Sequence, residues 1–371
     1  MKRPISIILV LVLALALFAG CGGGGGGNAA ATPPPASGGS AATPPPASGS
    51  NTNDPAPKDE PVNINLTFAI YLGDTDPTTL DNAHYLDMIR DYTDGTVDYT
   101  MYPSQTLCNG DEELDAVRSG LADVTFFPVA YGAGQLPVAS ILEYPGFAFN
   151  SDKAASYAFR EWFNVLDLPE LSDFKLLYAI GQGNGGFMTT FNVDRFDDLV
   201  DKQIRCMAAF VPIFEAYSIF PTVMVFSEVY EALRTGVVQG FYGMMHAGNV
   251  AKLYEVTSCV TLDPYFISSY IMVMNKDVWN SLSAGQKEAI EAATDDAFND
   301  FLAPGRAADA LIAIDIFADN GLKILRLSDE DIAKMGELNS PIQENYAKGV
   351  NGGPEALALY RELSAKYNAV Y

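Results

Sequence analysis

From residue 62 onward the chain switches between two hydrophobic periods, and that switching limits its fold more than any other feature. Val62, Ile64, Leu66, Phe68 and Ile70 recur at every second position, the period of a half-buried strand. Residues 81–92 carry a helical pattern closed by Asp94-Gly95. Val97, Tyr99 and Met101 return to the strand period and stop at Pro103. Residues 111–119 read as a helix with acids in its first turn and Gly120 as its stop, and residues 122–129 as a third strand. Strands alternating with helices predict an α/β fold built on a mainly parallel sheet with helices on its faces. Further along, Ser227 opens a helix that Gly236 closes. Ser283 and Gln286 form a capping box for a long helix near 284–303, Pro304-Gly305 kinks or ends it, and 321–327 is a late strand.

The first sixty residues differ in kind. Lys2 and Arg3 precede an apolar run over 7–18, too short for a comfortable membrane span and suited to an export signal. Leu17-Phe18-Ala19-Gly20-Cys21 resembles the bacterial lipoprotein cleavage box, with Phe18 where Leu is commoner. That resemblance implies a signal peptide over 1–20 and a lipid on Cys21. Residues 21–61 read as a disordered tether. They hold a six-glycine run and two copies of Ala-Thr-Pro-Pro-Pro-Ala-Ser-Gly, with almost no bulky apolar residue to offset the entropy of ordering. The expected location is therefore the outer side of the cell membrane, facing the periplasm or the cell exterior. Acids outnumber bases 46 to 22, for a net charge of -24. Such a chain repels nucleic-acid phosphates and anionic headgroups, so nucleic acid is excluded as a partner and membrane attachment needs the lipid.

Catalytic signatures are missing. His84 and His246 stand far apart and outside any zinc spacing, and are read as surface or satisfied core residues. Neither a Gly-x-Ser-x-Gly elbow nor a phosphate-binding Gly-Lys-Ser/Thr loop is present. Cys108, Cys206 and Cys259 have no Cys-x-x-Cys spacing; they read as buried free thiols, and at most one disulfide could join two of them. No catalytic residue, metal or cofactor is expected. Gly181-Gln182-Gly183-Asn184-Gly185-Gly186 matches the dinucleotide fingerprint, but Phe187-Met188-Thr189-Thr190-Phe191-Asn192-Val193 follows it where a helix is required. The glycines read instead as a flexible strand-to-strand crossover between two domains.

Three stretches resemble one family. The first is Met101-Tyr102-Pro103-Ser104-Gln105-Thr106-Leu107, followed by Glu113-Leu114-Asp115-Ala116-Val117-Arg118-Ser119-Gly120-Leu121-Ala122-Asp123. The second is Lys202-Gln203-Ile204-Arg205 with Phe226-Ser227-Glu228-Val229-Tyr230, and the third Met274-Asn275-Lys276-Asp277-Val278-Trp279. Together they resemble the DctP-type solute receptors of tripartite ATP-independent periplasmic (TRAP) transporters, across about 62–350. The resemblance implies a two-domain periplasmic-binding-protein-like fold with crossing strands and a long connecting helix. One domain would take 62–182 with about 269–308, the other about 183–268 with 309–371. It implies no enzyme but a receptor, expected as a monomer, that passes an organic carboxylate to membrane carrier subunits. A lipid-anchored surface sensor or extracellular enzyme of similar shape is the alternative.

Arg205 holds the family's carboxylate-gripping position, and Phe226 matches another ligand residue. A planar guanidinium makes two parallel charge-assisted bonds to a carboxylate and keeps its proton. The second arginine of some members, counted back without gaps, falls on the Asn184-Gly185 region, and Phe241-Tyr242-Gly243 stands where Gln-Glu-Asn is common. These departures favour a monocarboxylate with an apolar or aromatic body. The expected ligand set is Arg205, Phe226, Phe127, Phe187, Tyr242 and Tyr265; Phe126 and Phe210 also sit near predicted strand ends, and at least half of these aromatics are expected to be core.

Cys21→Ala is expected to move the protein from the membrane fraction to the soluble extracytoplasmic fraction. A variant that stays with the membrane as firmly as wild type contradicts the lipid anchor.

Overall fold

A computed structural model describes residues 60–144, 149–305 and 307–371; residues 1–59, with the expected signal, Cys21 and all but the last two residues of the expected tether, lie outside the described residues. The alternation from Val62 becomes β1 (Ile64–Ala69), α1 (Pro77–Tyr92), β2 (Val97–Tyr102), α2 (Glu113–Ser119) and β3 (Val124–Pro128), then α3 (Asp152–Val165) and β4 (Phe174–Gln182). The middle of the chain forms β5 (Gly185–Thr189), β6 (Gln203–Cys206), α4 (Val211–Ala216), β7 (Phe220–Val223), α5 (Val229–Thr235), β8 (Gly240–Met244), α6 (Met245–Val250) and β9 (Cys259–Leu262). The remainder is β10 (Ser268–Asn275), α7 (Lys276–Ser281), α8 (Ala284–Ala297), α9 (Ala307–Asp319), β11 (Lys323–Arg326), α10 (Asp329–Gly349) and α11 (Gly353–Asn368).

Local chemistry sets the element ends. Helix α1 starts ahead of its periodic pattern because Asp76 accepts the Thr78 N–H and Pro77 occupies the first helical position. Gly120 (φ 76°) and Gly236 (φ 77°) close α2 and α5 in the left-handed region. The Ser283–Gln286 capping box opens α8, and Gln286 also bonds both backbone groups of Val62, tying the helix to the start of β1. The helix ends at Ala297 in a π turn over Phe298–Leu302, and α9 restarts beyond Pro304-Gly305.

The strands form two sheets, of order β2-β1-β3-β10-β4 and β11-β9-β5-β8-β6-β7. Strands β2, β1 and β3 run parallel, as do β8, β6 and β7. The mainly parallel expectation fails at β10 and β5, each antiparallel to both neighbours. The reason lies in the connections. Strand β4 leaves the first sheet for β5 through Gly183-Asn184, and β9 returns to β10 through residues 263–267. A return made beside the outgoing segment, with no crossover helix, must run against it.

The glycine-rich segment therefore joins two strands and no helix follows it. Its glycines permit a close approach. A Cβ on Gly186 would lie 2.2 Å from the Thr261 carbonyl oxygen, and one on Gly185 2.3 Å from the Phe266 ring. Helix α10 runs from one lobe to the other. Tyr217 Oη, beside α4, donates to Asn339 Oδ1 (2.6 Å), while Tyr346 Oη donates to the Pro137 carbonyl (3.0 Å). Helix α11, grouped with the second domain in the sequence reading, lies on α3 of the first, where Trp162 Nε1 donates to the Ala356 carbonyl (2.8 Å). The apolar face of α3, with Phe159 and Trp162 fully buried, needs that cover.

Glu113, Glu143 and Asp263 are buried carboxyls of the body. Burial pushes Glu113 up to about 8, although Thr125 Oγ1 donates to it at 2.7 Å. Burial pushes Glu143 up to about 7 against the N–H and hydroxyl of Ser269, and Asp263 up to about 6 against the Tyr242 hydroxyl and the Tyr265 N–H. The folded chain then holds protons on these three groups that the unfolded chain has released, so their contribution to stability is full below the ordinary carboxyl range and is lost as pH rises to about 8. Melting temperatures across pH 4.5–8 should decline, and Glu113→Gln should flatten the upper part of that slope; equal slopes in both proteins contradict the assignment. Gly186→Ala should lose about 1–3 kcal/mol in urea unfolding through the forced shift against Thr261, and an unchanged midpoint would show that the two strands are not held this close.

Candidate functional site

The carboxyl ends of β1, β3, β4 and β8 open onto one cavity between the two sheets, with about 510 Å³ of empty space, part of it open to solvent. Strand ends of open α/β sheets are the usual place for a ligand, since side chains and backbone there are not consumed by packing. The first lobe contributes Tyr71 and Leu72 after β1, Asp76 and Thr78 at the start of α1, Phe126 and Tyr131 from β3 and its following turn, and Gln182 at the end of β4. The second lobe contributes Arg205 from β6, Phe226 from the turn before α5, Phe241 and Gly243 from β8, and His246 from α6.

Arg205 is only 2% exposed, and its guanidinium is held on three sides. Its Nε–H donates to the Met224 carbonyl (3.0 Å), Nη2 donates to Tyr131 Oη (3.3 Å), and the head lies 5.5 Å from the centre of the Phe241 ring. Opposite stand the parallel rings of Phe126 and Tyr270, 5.1 Å apart. Burial pushes the Tyr131 hydroxyl up from its ordinary value while Arg205 pulls it down, and the net direction is upward, so it is a neutral phenol at physiological pH. The site thus offers one fixed positive charge inside largely aromatic walls.

Of the residues expected at the site, Arg205 and Phe226 line this cavity. Phe127, Phe187, Tyr242 and Tyr265 do not. Phe127 follows Phe126 in β3, so its side chain leaves the opposite face of the sheet and packs in the core with Phe159 and Trp162. Tyr242 sits between two lining residues of β8 and likewise points away, donating to Asp263 Oδ2 (2.8 Å). Phe187 and Phe210 pack on the Tyr242 ring at 4.6 and 5.3 Å. Tyr265 lies beside α10, its hydroxyl oxygen 3.5 Å from the Ile332 carbonyl oxygen. The lining residues Tyr71, Tyr131, Gln182 and Tyr270 were not singled out from sequence, and His246, read there as a surface or core residue, is buried at the cavity wall. Position just past a strand end was the available signal for Tyr71, Tyr131 and His246. His84 packs at a tilt against the Phe301 ring, away from the site. Cys108, Cys206 and Cys259 are free thiols. Among the described residues no group of three or more His, Cys, Asp or Glu could hold a metal, and no helix is long and apolar enough to cross a membrane.

The profile of the family described as bacterial extracellular solute-binding protein, family 7 (DctP), matches residues 68–349. The C4-dicarboxylate-binding periplasmic protein DctP of Rhodobacter capsulatus is 24% identical over 312 residues, covering 76% of this chain and 86% of that protein. The 2,3-diketo-L-gulonate-binding periplasmic protein YiaO of Escherichia coli strain K12 is 24% identical over 305 residues, covering 81% and 92%. Among solved structures, a TRAP solute-binding protein of Rhodoferax ferrireducens T118 in complex with copurified benzoate has a TM-score of 0.76 at 19% identity, covering 83% of this chain and 99% of that one. A marine metagenome TRAP solute-binding protein specific for aromatic acid ligands, in complex with 3-hydroxybenzoate, has a TM-score of 0.75 at 21% identity, covering 82% and 99%. The profile spans most of the body and the two-lobed fold matches over 82–83% of this chain; this chain belongs to the DctP family of bacterial extracellular solute-binding proteins, which are transport receptors and not enzymes.

Proposed function

We propose that this receptor captures a monocarboxylate with an aromatic or apolar body, held by Arg205 and covered by Phe226. As a member of its family it takes an organic carboxylate outside the cytoplasm and delivers it to a TRAP-type membrane carrier. The finer reading rests on one observation: Arg205 is the only arginine or lysine among the described cavity residues, and Tyr71, Phe126, Phe226, Phe241, Phe266 and Tyr270 stand around it. A second carboxylate buried among these rings would have no permanently charged partner there, and an unpaired buried charge is strongly unfavourable. That argument separates this site from the C4-dicarboxylate receptor among its relatives, and the benzoate and 3-hydroxybenzoate complexes of two fold neighbours are consistent with it. In this reading a lipid on Cys21 keeps a monomeric receptor at the membrane surface, and the two lobes close about the crossovers at 183–184 and 263–267.

Calorimetric titration with benzoate, a hydroxybenzoate and succinate tests the ligand class. Arg205→Ala should weaken aromatic acid binding by at least about tenfold to a hundredfold, since a bidentate charge-assisted pair is lost, and Arg205→Lys should recover only part. Tight succinate binding with the aromatic acids ignored overturns the class, and an unchanged dissociation constant in Arg205→Ala overturns the arginine assignment.

A further inference from the structure

One stretch of the second lobe, Val225 to Ser227, is met from the first lobe at two points. The Tyr131 hydroxyl, just past β3, accepts the Phe226 N–H at 3.0 Å. Gln105 Nε2, in the loop after β2, donates to Ser227 Oγ at 2.6 Å. Both first-lobe residues are built for this reach. Ser104 and Gln105 are consecutive non-glycine residues in the left-handed region (φ 56° and 59°), a conformation that side-chain-bearing residues adopt only where something holds them. What holds Gln105 is its own amide, whose Oε1 accepts the Gly110 N–H at 2.9 Å while its nitrogen crosses to Ser227. Tyr131 is wedged edge-on against Tyr71 (5.6 Å) and Phe127 (6.3 Å).

The hydrogen-bond capacity of Tyr131 carries the inference further. A phenol oxygen accepts two bonds and donates one. Both acceptor positions are taken, by the Phe226 N–H and by Arg205 Nη2 at 3.3 Å. Its proton has no acceptor among the described residues, and Tyr131 lines the cavity. Arg205 in turn has spent its Nε–H on Met224 and one Nη2 proton on Tyr131, which leaves Nη1 and the second Nη2 proton as an end-on fork.

We propose that Tyr131 is both an interlobe latch and a second recognition group for the ligand carboxylate: its oxygen fastens the Phe226 turn and orients Arg205, and its proton goes to a carboxylate oxygen. The polarised chain Arg205 to Tyr131 to carboxylate strengthens each bond in it, because a hydroxyl that accepts from a cation donates more strongly. Gln105 and Ser227 form the outer half of the latch, without ligand contact. This makes the hydroxyl a specificity determinant: a carboxylate accepts its proton together with the arginine fork, whereas a primary amide at the same place would direct one face of N–H donors toward that fork. It also couples occupancy to closure, since the lobes open only by breaking bonds on the same oxygen that touches the ligand. The carboxylate half rests on the ligand reading above, and the latch half does not.

The test uses Tyr131→Phe, which keeps the ring and its contacts and removes only the oxygen, alongside Ser227→Ala. Amide hydrogen exchange on the ligand-free protein reads the latch. The Phe226 amide should exchange about tenfold faster in Tyr131→Phe, the factor expected for loss of one hydrogen bond, with the melting temperature changed little. Stopped-flow with benzoate and benzamide reads recognition. Benzoate should dissociate about tenfold to a hundredfold faster from Tyr131→Phe with its association rate nearly unchanged, so that preference over benzamide shrinks. Ser227→Ala should speed dissociation of both compounds alike. Unchanged Phe226 exchange overturns the latch, and benzoate dissociation unchanged in Tyr131→Phe overturns the recognition role while leaving the arginine assignment standing. If wild type binds no aromatic acid yet Phe226 exchange still depends on Tyr131, the ligand class and the carboxylate role fall and the latch stands.

Discussion

Two chain segments run side by side between the sheets, with Gln182 opposite Ser268 at the end of one sheet and Gly186 opposite Leu262 at the start of the other. The rest of the structure depends on this paired crossing. It makes β5 and β10 the antiparallel strands of otherwise parallel arrangements, because each arrives beside the strand that leaves. It demands glycine at 185 and 186, where the Phe266 ring and the Thr261 carbonyl come too near for a Cβ. It also places the carboxyl ends of strands from both sheets around one space, so that β3 and β4 face β6 and β8 across a cavity. Helix α10 adds a third link, fastened at Asn339 to one lobe and at Tyr346 to the other.

Within that frame the buried guanidinium dictates the chemistry of the site. A charge removed from water needs compensation by hydrogen bonds and polarisable neighbours. Here the Met224 carbonyl, the Tyr131 hydroxyl and the Phe241 ring supply part of it and no carboxylate is paired with Arg205 among the described residues. The arginine is thereby rigid without being neutralised. An anion that entered the cavity would meet an oriented donor set already largely removed from water, which is the condition for a strong charge-assisted bond. The aromatic walls lower the local dielectric and keep that attraction from being screened.

Much of the scaffold was legible from the residues. The period changes marked β1, β2 and β3, Gly120 and Gly236 marked helix ends, and Ser283 with Gln286 marked the start of α8, because these signals act through backbone contacts within a few residues. Arg205 and Phe226 were legible through the motifs around them, and both line the cavity. The wall was not. Phe126 and Phe127 are identical in sequence terms, as are Phe241 and Tyr242 in their aromatic character, yet one member of each pair faces the cavity and the other the core. A strand decides that by its two-residue period, and a register known only to within a residue cannot assign faces.

The amino-acid sequence by itself determined the α/β class, the crossover at the glycines, the helix caps and the cation at residue 205, since each follows from local propensity or from a motif of fixed spacing. Tertiary structure alone decided that β5 and β10 run against their neighbours, that α11 covers α3 of the first lobe, and that Tyr131 meets Arg205 and Phe226 across the cleft. The hydrogen bonds among those contacts join residues 74 to 194 positions apart. No short-range pattern encodes such pairings, because they are set by which buried surfaces and unsatisfied donors come together when the two sheets pack.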